Sequence, residues 1–246
     1  MEQPLSPKLV AEYLGSLLLA ALVIGSGIAA QRLSPGDTGL QLTENAAATA
    51  AGLFAIILMF GPVSGAHFNP VVSFVDAAFG GLPWRHALAY LPVQVAGCVS
   101  GAVLANLMFS TSAVSISTTH RATAAHVLSE VVATAGLVLV IFSLARSGRA
   151  EKAPAAVGAY IGAAYWFTNS TSFANPAITI GRMFSDTFAG IAPVSAPLFI
   201  TAQVAGGALA LLLVRALYPD LTARQATEVV VAPAVAANPD LSNSIG

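Results

Sequence analysis

The chain has 246 residues, 56% of them hydrophobic and 9% charged, with a formal net charge of −1. Soluble domains carry roughly 25% charged residues, so this composition excludes an ordinary soluble fold, and the near-neutral charge speaks against a nucleic-acid partner. The lone Cys98 excludes an intrachain disulfide.

Charge-free runs at 13–31, 46–66, 88–120, 131–145, 153–181 and 187–214 supply material for helices of the roughly 20 apolar residues that cross a hydrocarbon core. An all-α membrane protein follows. Residues 1–6 read as a short end. Lys8 is followed by Glu12 without a cleavage site, so the first run is expected to stay as a helix over about 7–31. Residues 32–44 are polar and contain Pro35-Gly36, which predicts a loop; a second helix is expected over 45–60, stopped by Gly61-Pro62.

The next stretch, Ser64-Gly65-Ala66-His67-Phe68-Asn69-Pro70-Val71, is a turn followed by an Asn-Pro step. Asn caps a helix with its side-chain oxygen, and Pro at the first helical position lacks an amide that would be unpaired anyway. The apolar segment it starts, 69–79, is too short to span and ends at Gly80-Gly81 and Pro83. A third full helix fits 86–109, and the Ser/Thr-rich 110–123 forms a loop.

The second half repeats this plan. Full helices fit 125–145, 154–168 and 196–217, with a basic loop at 146–152. Between the last two lies Ser172-Phe173-Ala174-Asn175-Pro176-Ala177-Ile178, opening a short helix over 176–184. The Asn-Pro steps are 106 residues apart, and Glu12 and Glu130, each near the start of a half, are 118 apart. One channel domain over 1–246 is therefore expected, with repeats at about 7–109 and 125–217 and a disordered cytoplasmic tail at 218–246. Three spans per half make the repeat inverted, which places a solute site at the midplane.

Lys and Arg set the orientation. Lys8, Arg85, Arg146, Arg149, Lys152, Arg215 and Arg224 fall on one side and Arg32, Arg121 and Arg182 on the other, which puts both termini in the cytoplasm. Two short helices dipping in from opposite faces bring their Asn-Pro ends together at the centre. Backbone carbonyls of Gly65, Ala66, His67, Phe68, Phe173 and Ala174 would line a cavity there. Glu12 and Glu130 are costly in a membrane and need partners; accepting backbone amides of the re-entrant segments is the expected role, ahead of carrying a coupling proton. The His67 ring is expected to face the passage. No acid, base and nucleophile set converges, so no enzyme is expected, and no cofactor or metal site is read.

The doubled motif, Asn69-Pro70-Val71 and Asn175-Pro176-Ala177, with Glu12 and Glu130, resembles the aquaporin and glycerol-facilitator superfamily over roughly residues 8–217. The resemblance implies six spanning helices, two re-entrant half-helices, a pore in each subunit and a homotetramer in the inner membrane. Val71 departs from the family's Ala. Ile178 stands where the family usually carries the arginine of its narrowest filter. The other filter positions carry over as Thr49, where water channels hold a bulky aromatic, Tyr165 in place of His, and Ser172. The stretches 171–193 and 76–85 are similar to the bacterial arsenic-operon aquaglyceroporins, which implies passage of uncharged trivalent arsenic, glycerol-like polyols and small methylated arsenicals. A water-selective pore is the nearest rival; a gradient-coupled transporter rests on the two acids alone. Arg182 is expected to pair at the surface with Asp186, four residues on.

Overall fold

The computed structural model describes residues 4–219, so the expected tail lies outside the described residues apart from its first two. Every regular element among them is helical. The long helices are α1 (Leu5–Leu33), α2 (Thr38–Ser64), α4 (Trp84–Met108), α5 (Ala124–Arg146), α6 (Ala153–Phe167) and α8 (Ala196–Leu217); the short ones are α3 (Pro70–Phe79) and α7 (Pro176–Gly181). Five of the long helices are long and apolar enough to cross a membrane. The sixth, α6, is equally apolar but has 15 residues, about 22 Å at 1.5 Å per residue.

Two boundaries differ from expectation, and each has a local cause. The loop expected at 32–44 shrinks to 34–37, because the Asp37 side chain accepts the Leu40 amide (2.9 Å) and starts α2 early. Two polar contacts tie that first stretch together: Ser34 donates to Glu44 (2.8 Å), and Gln41 donates to the Ser34 carbonyl (2.8 Å). At the other end α2 runs through Pro62 to Ser64. Gly65, at φ 90°, ends it in the left-handed region and returns its amide to the Gly61 carbonyl, the usual use of glycine beyond a helix C-terminus.

Packing follows the repeat. Helix α1 lies against α2 and α4, and α5 lies against α6 and α8 in the same relation. Helices α2 and α6 join the halves, while α7 packs on α4 and α3 on α4 and α8. The closest approaches are made by glycine. A Cβ on Gly97 or Gly101 of α4 would sit 2.4 or 2.2 Å from the Tyr13 or Leu17 carbonyl oxygen of α1, and one on Gly206 of α8 would sit 2.5 Å from that of Val131 of α5. Small residues at helix crossings are how apolar helices gain van der Waals contact in lipid. Leu58, Leu88, Leu128 and Leu212 stay exposed on the outside, as a lipid-facing surface requires.

Candidate functional site

Both Asn-Pro steps fold as caps. Asn69 Oδ1 accepts the Val71 amide (3.0 Å), and Asn175 Oδ1 accepts the amides of Ala177 (2.9 Å) and Ile178 (3.3 Å). Their amide nitrogens cross over: Asn69 Nδ2 donates to the Ala174 carbonyl and Asn175 Nδ2 to the Phe68 carbonyl, both at 2.7 Å. The N-termini of α3 and α7 therefore meet, as an inverted repeat demands.

The segments ahead of each Asn are strained. Gly65, Ala66 and Phe68 have positive φ, and so do Thr171, Ser172 and Ala174, each 106 residues later. For a residue other than glycine such a conformation costs about 1–3 kcal/mol and persists only when its surroundings hold it. The two buried acids do this. Glu12 accepts from the amides of His67 (2.9 Å) and Phe68 (2.7 Å), and Glu130 from those of Phe173 (2.9 Å) and Ala174 (2.8 Å). Helical or sheet pairing is closed to these amides, so the carboxylates supply the partners that buried backbone needs.

A second layer was not read from the sequence. Gln94 donates to Glu12 (2.8 Å) and Ser73 (3.1 Å), while Gln203 donates to Glu130 (2.7 Å) and Thr179 (2.9 Å). Ser73 and Thr179 in turn donate to the Asn69 and Asn175 carbonyls. Gln94 and Gln203 are 109 residues apart, each alone in the middle of an apolar helix. That repeat spacing was the available signal.

Between the halves lies a cavity of about 80 Å³. Its apolar wall comes from the four helices α1, α2, α5 and α6, including Leu19, Leu53, Leu137 and Ile161. The facing wall is the re-entrant backbone: Gly65, Ala66, His67, Phe68, Asn69, Phe173 and Asn175. Ala174 is buried outside this lining, and its carbonyl, like that of Phe68, already accepts an Asn amide. Thr49, Tyr165, Ser172 and Ile178 all line the cavity, with the Thr49 and Tyr165 hydroxyls 3.2 Å apart. Ser172 Oγ is buried and has no protein partner among the described residues. Pro70, Val71, Pro176 and Ala177 lie behind the lining; Val71 fills the space beside Gly207.

One residue joins the lining as expected, with its ring tethered, and another departs from expectation. His67 contributes to the lining, but its ring is held by its own half-helix: Nδ1 lies 3.0 Å from Ser73 Oγ, Nε2 lies 3.5 Å from Asp76, and the ring meets Tyr90 edge-on. Nδ1 is thus held within α3, while Nε2 lies near Asp76 without a hydrogen bond to it. Arg182 is not a surface residue. It is 2% exposed, lies 3.4 Å above the centre of the Phe173 ring, donates from Nε to the Ala189 carbonyl, and lines the cavity. Asp186 instead accepts from the Thr118 amide (2.9 Å) and hydroxyl. The helix stops at Gly181 and tightens into a 3-10 turn, so residue 186 does not share a helical face with residue 182.

An apolar helical bundle whose two opposed half-helices meet and form one wall of a cavity between the halves defines a pore-forming protein. Residues 2–174 match the profile of the major intrinsic proteins. The chain is 48% identical over 214 residues to Aquaglyceroporin AqpS of Rhizobium meliloti (strain 1021), covering 87% of this chain and 91% of that one. It is 30% identical over 151 residues to the glycerol uptake facilitator protein of Streptococcus pneumoniae (strain ATCC BAA-255 / R6), covering 56% of this chain and 64% of the relative. The X-ray structure of the aquaglyceroporin from Plasmodium falciparum shares the fold, with a TM-score of 0.68 over 89% of this chain and 97% of that one at 21% identity. The chain belongs to the major intrinsic protein family and is a multi-pass membrane channel for small solutes.

Proposed function

We propose that the protein passes trivalent arsenic as uncharged arsenous acid, together with glycerol-like polyols and water, as a homotetramer in the inner membrane with both termini cytoplasmic. The observation that carries this reading is Ile178 on the cavity wall, with the Thr49 and Tyr165 hydroxyls also on the lining. An arginine at 178 would place five donors and a long side chain across the passage. Ile leaves an apolar face there, which suits a solute whose hydroxyls turn toward the carbonyls and hydroxyls of the other wall. Arsenous acid and glycerol each carry three hydroxyls and no charge. The relatives named as aquaglyceroporin and glycerol facilitator support the same class.

A gradient-coupled transporter would need a carboxylate free to change partners. Glu12 holds four donors and Glu130 three, which favours a fixed structural role for both. The test is parallel flux of water, glycerol and arsenous acid through proteoliposomes containing the purified protein. Ile178→Arg is expected to cut glycerol and arsenous acid flux about tenfold or more while water flux falls much less, within the range by which a pocket discriminates by size and polarity. Equal loss of all three fluxes in assembled protein would refute the assignment.

A further inference from the structure

The repeat that relates the two Asn-Pro steps also relates Asp76 to Arg182 and His67 to Phe173, both pairs being 106 residues apart. Each half thus carries one charged side chain seven residues beyond its Asn, folded back on the residue two before that Asn. In the first half the contact is Asp76 with His67; in the second it is Arg182 with Phe173. Only Arg182 joins the cavity lining, beside Ile178 and Tyr165, whereas Asp76 is turned into the protein.

The Arg182 guanidinium is fixed on two sides. Phe173 lies beneath it, and its Nε is committed to the Ala189 carbonyl. The carbonyls on either side of Ala189 are held by another cation: Arg121, from the loop joining the two halves, donates to Gly190 (2.9 Å) and Phe188 (3.0 Å). Arg121 also lies 5.4 Å from the centre of the Phe173 ring. Three successive carbonyls are thereby clamped between two guanidiniums, and the terminal nitrogens of Arg182 are the ones left to face the cavity. The acid four residues on, Asp186, is engaged with Thr118, and both oxygens of Glu130 are engaged with Phe173, Ala174 and Gln203. The charge of Arg182 is not cancelled by a direct carboxylate contact.

We propose that Arg182, set one helical turn beyond Ile178, is the cation-excluding and solute-orienting residue of this channel, and that Arg121 is its positioning residue. Width and charge are then set by different side chains: Ile178 leaves room for a trihydroxy solute, while Arg182 repels hydronium and small ammonium ions and donates hydrogen bonds to neutral hydroxyl oxygens. A fixed charge in a narrow passage walled by low-dielectric protein acts far more strongly than one in open water. This rests on the channel reading but not on which neutral solute is carried.

The experiment uses proteoliposomes of the full chain, with water flux as the open-pore reference and methylammonium and proton leak as readouts. Arg182→Ala is expected to raise methylammonium and proton leak about tenfold or more relative to water flux, the scale on which a focused charge alters local ion concentration. Arg182→Lys, which keeps the charge, should stay close to wild type. Arg121→Gln should raise leak partway and Arg121→Lys should restore exclusion; equal leak from these two would remove the positioning role. Wild-type leak in an Arg182→Ala channel with normal water flux would overturn the proposal. If the Ala variant fails to assemble, Arg182→Gln and Arg182→Lys decide, because equal leak from the neutral and charged variants would overturn it equally. A wild-type protein that passes water and excludes methylammonium but carries no arsenous acid or glycerol would remove the solute assignment and leave the role of Arg182 standing.

Discussion

The two re-entrant segments do the same structural work and end differently. In both, a buried glutamate and a glutamine hold a strained turn, a hydroxyl returns to the Asn carbonyl, and an Asn-Pro step opens a helix. Beyond that the halves part. Helix α3 runs ten residues and closes on Gly80 at φ 84°, whereas α7 runs six and passes into a 3-10 turn. The position matching Gly80 is Asp186, which lacks the free left-handed backbone that a helix stop of this kind uses. The early turn instead hands Ser185 to Asn106 (2.7 Å). What the halves share fixes the backbone of the passage; what they do not share fixes which charge faces it.

The strongest way to break that comparison is to remove the acids. Glu12→Ala removes the acceptor of four donors and Glu130→Ala that of three. The Gln94 and Gln203 amides keep Ser73 and Thr179, and the others are stranded at about 1–3 kcal/mol for each buried group left without a partner. Both variants should lose most folded protein in detergent, Glu12→Ala the more, as read by size-exclusion yield and thermal melting. Folded, freely conducting Glu130→Ala channels would show that the second turn holds itself.

A smaller effect tests the helix crossings. Gly101 and Ala210 are equivalent positions 109 residues apart, yet a Cβ at Gly101 meets the Leu17 carbonyl at 2.2 Å. Gly101→Ala should therefore cost about 1–3 kcal/mol by overpacking, while Ala210→Gly should cost only about 0.5–1 kcal/mol of helix propensity. Thermal melting of the two variants side by side reads the difference, and similar losses would mean the second crossing is as tight as the first.

The smallest difference lies in the caps. Asn175 Oδ1 takes two amides and Asn69 Oδ1 one. Alanine at either should lower stability by about 0.5–2 kcal/mol and reduce solute flux, with Asn175→Ala at the upper end. A larger loss for Asn69→Ala would reverse the ranking.

The parts of this molecule legible in its sequence are those that repeat. Asn69 with Asn175, and Glu12 with Glu130, announce themselves by spacing, and the short helices follow from the glycines and prolines around them. The start of α2 was hidden because Asp37, Thr43 and Glu44 look like loop residues, although a cap at Asp37 and the Ser34–Glu44 bond let a helix carry them. Arg182 was misread for a geometric reason. The four-residue pairing rule presumes a continuing helix, and the helix ends at Gly181. Its spacing of 106 residues from Asp76, another charge inside an apolar re-entrant segment, was the signal that could have moved it inward.

The crossed amides at the midpoint carry a mechanical consequence. Because Asn69 grips the carbonyl of Ala174 and Asn175 that of Phe68, neither half-helix can slide along its axis without tearing a bond anchored in the other. The centre of the passage is thus indexed by the two halves jointly and behaves as a rivet. A change of bore that keeps both crossed bonds is more readily made toward the two mouths, where the side chains of the halves differ, than at the middle.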